Sequence, residues 1–86
     1  MENLWQDILD KIEPEISRPV FLTFLKPSIL MAHDNSIAII GAPTDIGAEY
    51  LEKRFYALIK RAFDSNTGEN TRLVFKRLEE QVGINN

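Results

Sequence analysis

One long apolar stripe constrains this chain more than any other feature. Ile46, Tyr50, Leu51, Phe55, Leu58, Ile59 and Ala62 recur at the 3.6-residue period of a helix. The opposite side carries Glu49, Glu52, Lys53, Lys60 and Arg61, with Glu49 and Lys53 spaced as a favourable i, i+4 pair. Thr44 or Asp45, after Pro43, supplies the start signal, and Asn66-Thr67-Gly68 the stop. The chain has 86 residues, so there is room for one core and one domain. It holds no cysteine, which excludes disulfides and thiolate metal sites and leaves packing alone to hold the fold.

The rest of the chain divides at its prolines and turn residues. Leu4, Trp5, Ile8, Leu9 and Ile12 share one face of a first helix, which should end before Pro14. Ser17 can cap a second, short helix with Pro19 in its first turn, Phe21, Phe24 and Leu25 as its apolar side, and Pro27 closing it. Residues 28–32 and 36–40 flank the turn-rich His33-Asp34-Asn35 and read as a strand hairpin, with Gly41 a candidate bulge. Leu73-Val74-Phe75 is a final strand. The expected class is α+β, in the order α-α-β-β-α-β, with three helices packed on a small three-stranded sheet. The domain should occupy residues 1–78, and 79–86 read as a polar tail or the start of a linker.

Little in the chain suggests chemistry. There is no glycine-rich phosphate loop. His33 has no cluster of cysteines or carboxylates at metal-ligand spacing and reads as a solvated turn histidine. Glu13 and Glu15 bracket Pro14 as a solvated interhelical pair rather than an acid–base couple, and capping accounts for Ser17. No enzyme, cofactor or metal is expected. The amino terminus lacks the basic start and apolar run of a signal peptide, and no stretch reaches the roughly 20 apolar residues of a membrane span, so a cytoplasmic location is expected without membrane contact. The net charge of −3 argues against a surface that clamps phosphates throughout. A local basic surface from Lys53, Lys60 and Arg61 would suit weak single-strand binding, in competition with a salt-bridged solvated face shared with Glu49, Glu52 and Asp64. The GxxG clamp of a KH domain and the paired sheet aromatics of an RRM are both missing. Trp5 stands out at the start of the first helix, as either an interface anchor or a cover for the core edge. One ring face inside and one outside would satisfy both.

The ordered set of Leu4-Trp5, Ile8-Leu9, Ile12 and Pro19-Val20-Phe21-Leu22-Thr23-Phe24-Leu25-Lys26-Pro27 resembles the DnaA N-terminal domain family. Ala42-Pro43-Thr44-Asp45-Ile46, Tyr50-Leu51, Glu52-Lys53-Arg54-Phe55 and Gly68 extend the likeness over about residues 3 to 78. The resemblance implies a KH-like fold without ATPase activity. It further implies self-association, docking to the replicative helicase and to regulators of initiation, and weak contact with single-stranded DNA. Trp5, with Leu4 and Gln6 beside it, matches the aromatic associated with self-association. Ile46, with Thr44 and Asp45 beside it, matches a phenylalanine associated with helicase contact. Val20 stands where some members carry an acidic residue linked to helicase and DNA contact. Phe24 and Tyr50 replace tryptophans, Ile46 replaces an aromatic, and one extra residue lies near Gly41. The expectation is a protein-docking module of replication initiation, with a single-strand binder as the alternative.

Overall fold

The computed structural model describes residues 2–34 and 36–78, so expectations for Asn35 and for the tail at 79–86 lie outside the described residues. Helix α1, Glu2–Ile12, buries Trp5, Ile8, Leu9 and Ile12 along one side. It stops where Pro14 requires, passing into a 3-10 turn over Glu13–Glu15. Ser17 then caps α2, its hydroxyl accepting the Val20 N–H at 3.4 Å. Helix α2 starts as an α-turn over Arg18–Val20 and widens over Phe21–Leu25 into a π-turn, in which the Lys26 N–H donates to the Phe21 carbonyl at 2.8 Å. Phe21 and Leu25 enter the core from this turn, while Leu22 stays exposed.

Strands β1, Ile29–His33, and β2, Ile37–Ala42, form the antiparallel hairpin. Asp34 shapes its turn: one carboxylate oxygen accepts the N–H groups of Ser36 at 2.9 Å and Ile37 at 3.0 Å. Strand β3, Arg72–Arg77, lies parallel to β2, which makes β2 the central strand. A parallel pair needs a long crossover, and helix α3, Asp45–Thr67, supplies it. The order α-α-β-β-α-β and the α+β class follow the expectation from the sequence.

Two local readings change. The irregularity in the hairpin falls between Leu30 and Ala32, so the extra residue is Met31 and not Gly41. Gly41 is instead a crossing point: a Cβ there would strike the Leu78 side chain and lie 2.7 Å from the Met31 sulfur. His33 is the last residue of β1 rather than a solvated turn residue. Its ring packs 5.5 Å from that of Phe63, and its Nε2 is buried with no hydrogen-bond partner among the described residues.

Leu30, Ala38, Ile40 and Leu73 point to the helices and are buried with Leu51, Ile59 and Phe63 of α3. Thr44 caps α3 by accepting the Gly47 N–H at 2.9 Å, and Gly68 ends it in the left-handed conformation at φ 76°. The apolar stripe read from the sequence therefore forms one helix, but its first member leaves the core: Ile46 is 76% exposed.

Candidate functional site

The start of α3 holds the most exposed large apolar side chain among the described residues. The Thr44 cap fixes the first turn, with the Ala48 N–H returning to the Thr44 carbonyl at 3.0 Å. Asp45 and Ile46 consequently project from a rigid helix end. Asp45 meets Arg77 of β3 at 3.5 Å across a well-solvated gap. One turn on from Ile46, Tyr50 stacks on Phe24 of α2 with ring centroids 4.1 Å apart, and Phe55 meets Tyr50 edge-on at 5.7 Å. The Arg54 guanidinium lies 5.7 Å from the centre of the Tyr50 ring. Ile46, Glu49, Tyr50, Lys53 and Arg54 line a shallow depression of about 280 Å³. Lys53 donates to Glu49 at 2.8 Å, and that hydrogen bond holds the Glu49 carboxyl below its ordinary pKa and raises that of Lys53. The arrangement is an apolar projection and an aromatic platform with a charged rim.

Trp5 is placed differently from the expectation of one ring face outside. It is 6% exposed, its indole N–H donates to the Ser28 carbonyl at 3.1 Å, and its ring lies 6.0 Å from Phe63. The indole needs a partner for its N–H, and the closed turn after α2 offers one: Ser28 is itself buried, with its hydroxyl donating to the Leu25 carbonyl. Trp5 is thus a core residue, and one of its edges forms the wall of a groove. That groove, about 480 Å³ in volume, runs between α1 and β1 and is also lined by Gln6, Leu9, Lys26, Ile29 and Leu30. Leu4 is half-buried against the core, and Gln6 is exposed and donates to Asp10 at 2.9 Å. Val20 is half-buried in the first turn of α2.

The expected partner-binding residues do not form one patch. Trp5 packs on Phe63 near the carboxyl end of α3, whereas Ile46 sits at its amino end, about 25 Å away along the helix axis. Leu4, Trp5 and Gln6 belong to one region; Thr44, Asp45 and Ile46 belong to the other. Phe24 and Tyr50 form a half-exposed platform that helical periodicity does not distinguish from the core, since it assigns Ile46 and Tyr50 to the same stripe as buried Leu51.

The basic residues are also spoken for. The Lys60 ammonium donates to Asp64 at 2.9 Å, to Asn70 at 2.6 Å and to the Thr71 carbonyl at 2.9 Å, which uses all three of its protons. Asp64 in turn accepts the Thr71 N–H at 3.0 Å, and this contact and the Lys60 hydrogen bond hold its carboxyl below the usual range. Lys60 is a tether between α3 and the approach to β3. Arg61 lies 3.7 Å from Glu15, and Lys53 pairs with Glu49. Glu13 is paired with Arg18 at 3.2 Å, so Glu13 and Glu15 each face an arginine and not one another. Among the described residues, no three His, Asp or Glu side chains are grouped to hold a metal ion, and no helix is long and apolar enough to cross a membrane.

Comparison with known proteins bears on this arrangement. Residues 2–65 match the model of the DnaA N-terminal domain family. The chromosomal replication initiator protein DnaA of Nostoc sp. is 28% identical over 68 residues, covering 79% of this chain and 15% of the relative. The DnaA of Gloeobacter violaceus is 28% identical over 75 residues, covering 87% of this chain and 17% of the relative. The DnaA of Nostoc punctiforme is 28% identical over 68 residues, again 79% of this chain and 15% of the relative. The chain spans 15% to 17% of the length of these relatives. With the family model running through α1, α2, the strand hairpin and nearly the whole of α3, the chain belongs to the DnaA N-terminal domain family.

Proposed function

We propose that this chain is a non-catalytic docking module of a chromosomal replication initiator, and that the end of the molecule around Ile46 holds its partner protein. The exposure of Ile46 carries the reading. An isoleucine 76% exposed at a capped, rigid helix start contributes almost nothing to the fold, yet full burial against a partner would contribute about 1.5–3 kcal/mol. That is the size of an interface hot spot, and Tyr50 with Phe24 provides the aromatic surroundings such anchors favour. The Glu49–Lys53 pair and Arg54 give the polar rim. The relatives are named as replication initiators, and the partners that the family resemblance suggests for this end are the replicative helicase and regulators of initiation. Self-association, suggested for the α1 region, would use the groove beside Trp5 and Gln6. Single-strand binding through Lys53, Lys60 and Arg61 is the weaker reading, because each cation already faces a carboxylate.

Calorimetric titration of the chain against the replicative helicase of the same organism tests the reading. The unaltered chain should bind, and Ile46→Glu should weaken binding at least about tenfold while melting at the same temperature. Equal binding by the two chains would overturn the assignment of this end.

A further inference from the structure

Alternation along the strands sends a second apolar set to the side of the sheet that faces away from the helices. Pairing places Ile29 beside Gly41, Ala32 beside Ile39, and Ile39 beside Val74. The bulge brings Met31 to the same side, where its sulfur and Leu78 crowd the Gly41 position. Ile29 is 46% exposed, and Ile37, Ile39 and Val74 are half-buried. Among the described residues, the charges on this side have one sign. Arg72 lies beside Ile37 and Lys76 beside Gly41, both exposed and flanking Val74 on β3. Neither has an ion-pair partner among the described residues, and no strand carries a carboxylate.

We propose that this open face docks an amphipathic helix of a partner protein whose apolar stripe is edged by carboxylates. The dimensions suit one helix. Three strands about 4.8 Å apart and five or six residues long present a surface roughly 10–14 Å by 16–20 Å, and a 12-residue helix is about 18 Å long and 10 Å wide. A helix seated there would complete a third layer, as α3 forms the layer on the other side. Arg72 and Lys76 are about 13 Å apart along β3, and carboxylates two helical turns apart, about 11 Å, reach both. A second copy of the chain fits less well, because its own sheet would bring two more cations and no anion. Nucleic acid fits less well too, because this side carries no aromatic ring on which a base can stack. The proposal stands apart from the reading of the Ile46 end, which lies on the helical side.

Methyl-labelled chain titrated with two synthetic 14-residue helical peptides tests it by nuclear magnetic resonance. Both peptides carry the same leucine stripe; one has glutamates two turns apart along its edge and the other has lysines there. The glutamate peptide should shift the Ile39 and Val74 methyl signals to saturation and bind at least about tenfold tighter than the lysine peptide, from two exposed ion pairs formed against two repulsions. The double variant Arg72→Glu, Lys76→Glu should reverse that preference. Equal binding of the two peptides, shifts confined to the Ile46 end, or no shift at these methyls would overturn the proposal. Shifts of the same methyls on raising the concentration of the chain alone would assign the face to a second copy and overturn it as well. Should the double variant fail to fold, the two peptides on the unaltered chain still decide the matter.

Discussion

Replacing Trp5 by alanine separates a core role from a surface role. The side chain is 6% exposed, packs on Phe63 and supplies the donor for the buried Ser28 carbonyl. Truncating a buried tryptophan to alanine costs about 3–5 kcal/mol, and leaving a buried acceptor without its donor accounts for about 1–3 kcal/mol when it stays dry. Small domains are stable by about 5–15 kcal/mol, so the variant should lose a large share of its stability. With a urea dependence of about 1.5 kcal/mol/M, the midpoint should fall by roughly 2–3 M or the transition should vanish. Far-ultraviolet circular dichroism is the suitable probe, because Trp5 is the single tryptophan and its removal eliminates tryptophan fluorescence. Trp5→Phe keeps a ring against Phe63 but loses the N–H and the volume of one indole ring, so it should cost less than alanine, about 1–3 kcal/mol. A Trp5→Ala chain with an unchanged urea midpoint and weakened self-association would refute the core assignment.

Other substitutions probe the remaining elements. Thr44→Ala removes the α3 cap and should cost about 1 kcal/mol, lowering the melting temperature by roughly 4–8 °C, whereas Thr44→Ser should restore most of it. Gly68→Ala forces a side chain into the left-handed region and should cost about 1 kcal/mol, read as a lower urea midpoint. Acid should destabilise the fold through Asp64, whose carboxyl is held below its ordinary value of 3.8 by the Thr71 N–H and then by Lys60. A lowered folded-state value stabilises above the unfolded-state pKa, and that contribution disappears as pH falls through the folded-state one. Melting temperature should therefore drop from about pH 4 downward, and Asp64→Asn should flatten part of that limb; an unchanged acid limb would contradict the assignment. Gly41→Val would drive a side chain into Met31 and Leu78, so a melting temperature at or above that of the unaltered chain would contradict the close packing there.

The elements with strong local signals were legible in the sequence. Helix α3 was, because its stripe, the Thr44 cap and Gly68 all agree, and α1 was, because Pro14 limits it. The π-turn in α2 and the bulge at Met31 were not, since both are settled by how neighbouring segments pack and neither leaves a distinctive residue pattern. Ile46 was named from resemblance, but its exposure was not readable: periodicity assigns it to the same stripe as Leu51, and only the end of the core separates them. Lys60 shows the opposite limit. It reads as a surface cation by helical position, and the loop that brings Asn70 and Thr71 back to it is a tertiary event. Trp5 was identified as important, while its burial depends on the Ser28 carbonyl, 23 residues away in the chain.

Parallel titrations of the chain with the replicative helicase and with a single-stranded oligonucleotide, each at two salt concentrations, test the docking reading most directly. Docking through Ile46 and the Tyr50 platform should give helicase binding that changes little with salt and is lost in Ile46→Glu but kept in Arg61→Glu, a cation outside that depression. Binding of the oligonucleotide through n phosphate contacts would instead weaken with a slope of roughly −0.7n in logarithmic salt. Helicase binding indifferent to Ile46→Glu, together with steep salt-dependent oligonucleotide binding lost in Arg61→Glu, would contradict the account.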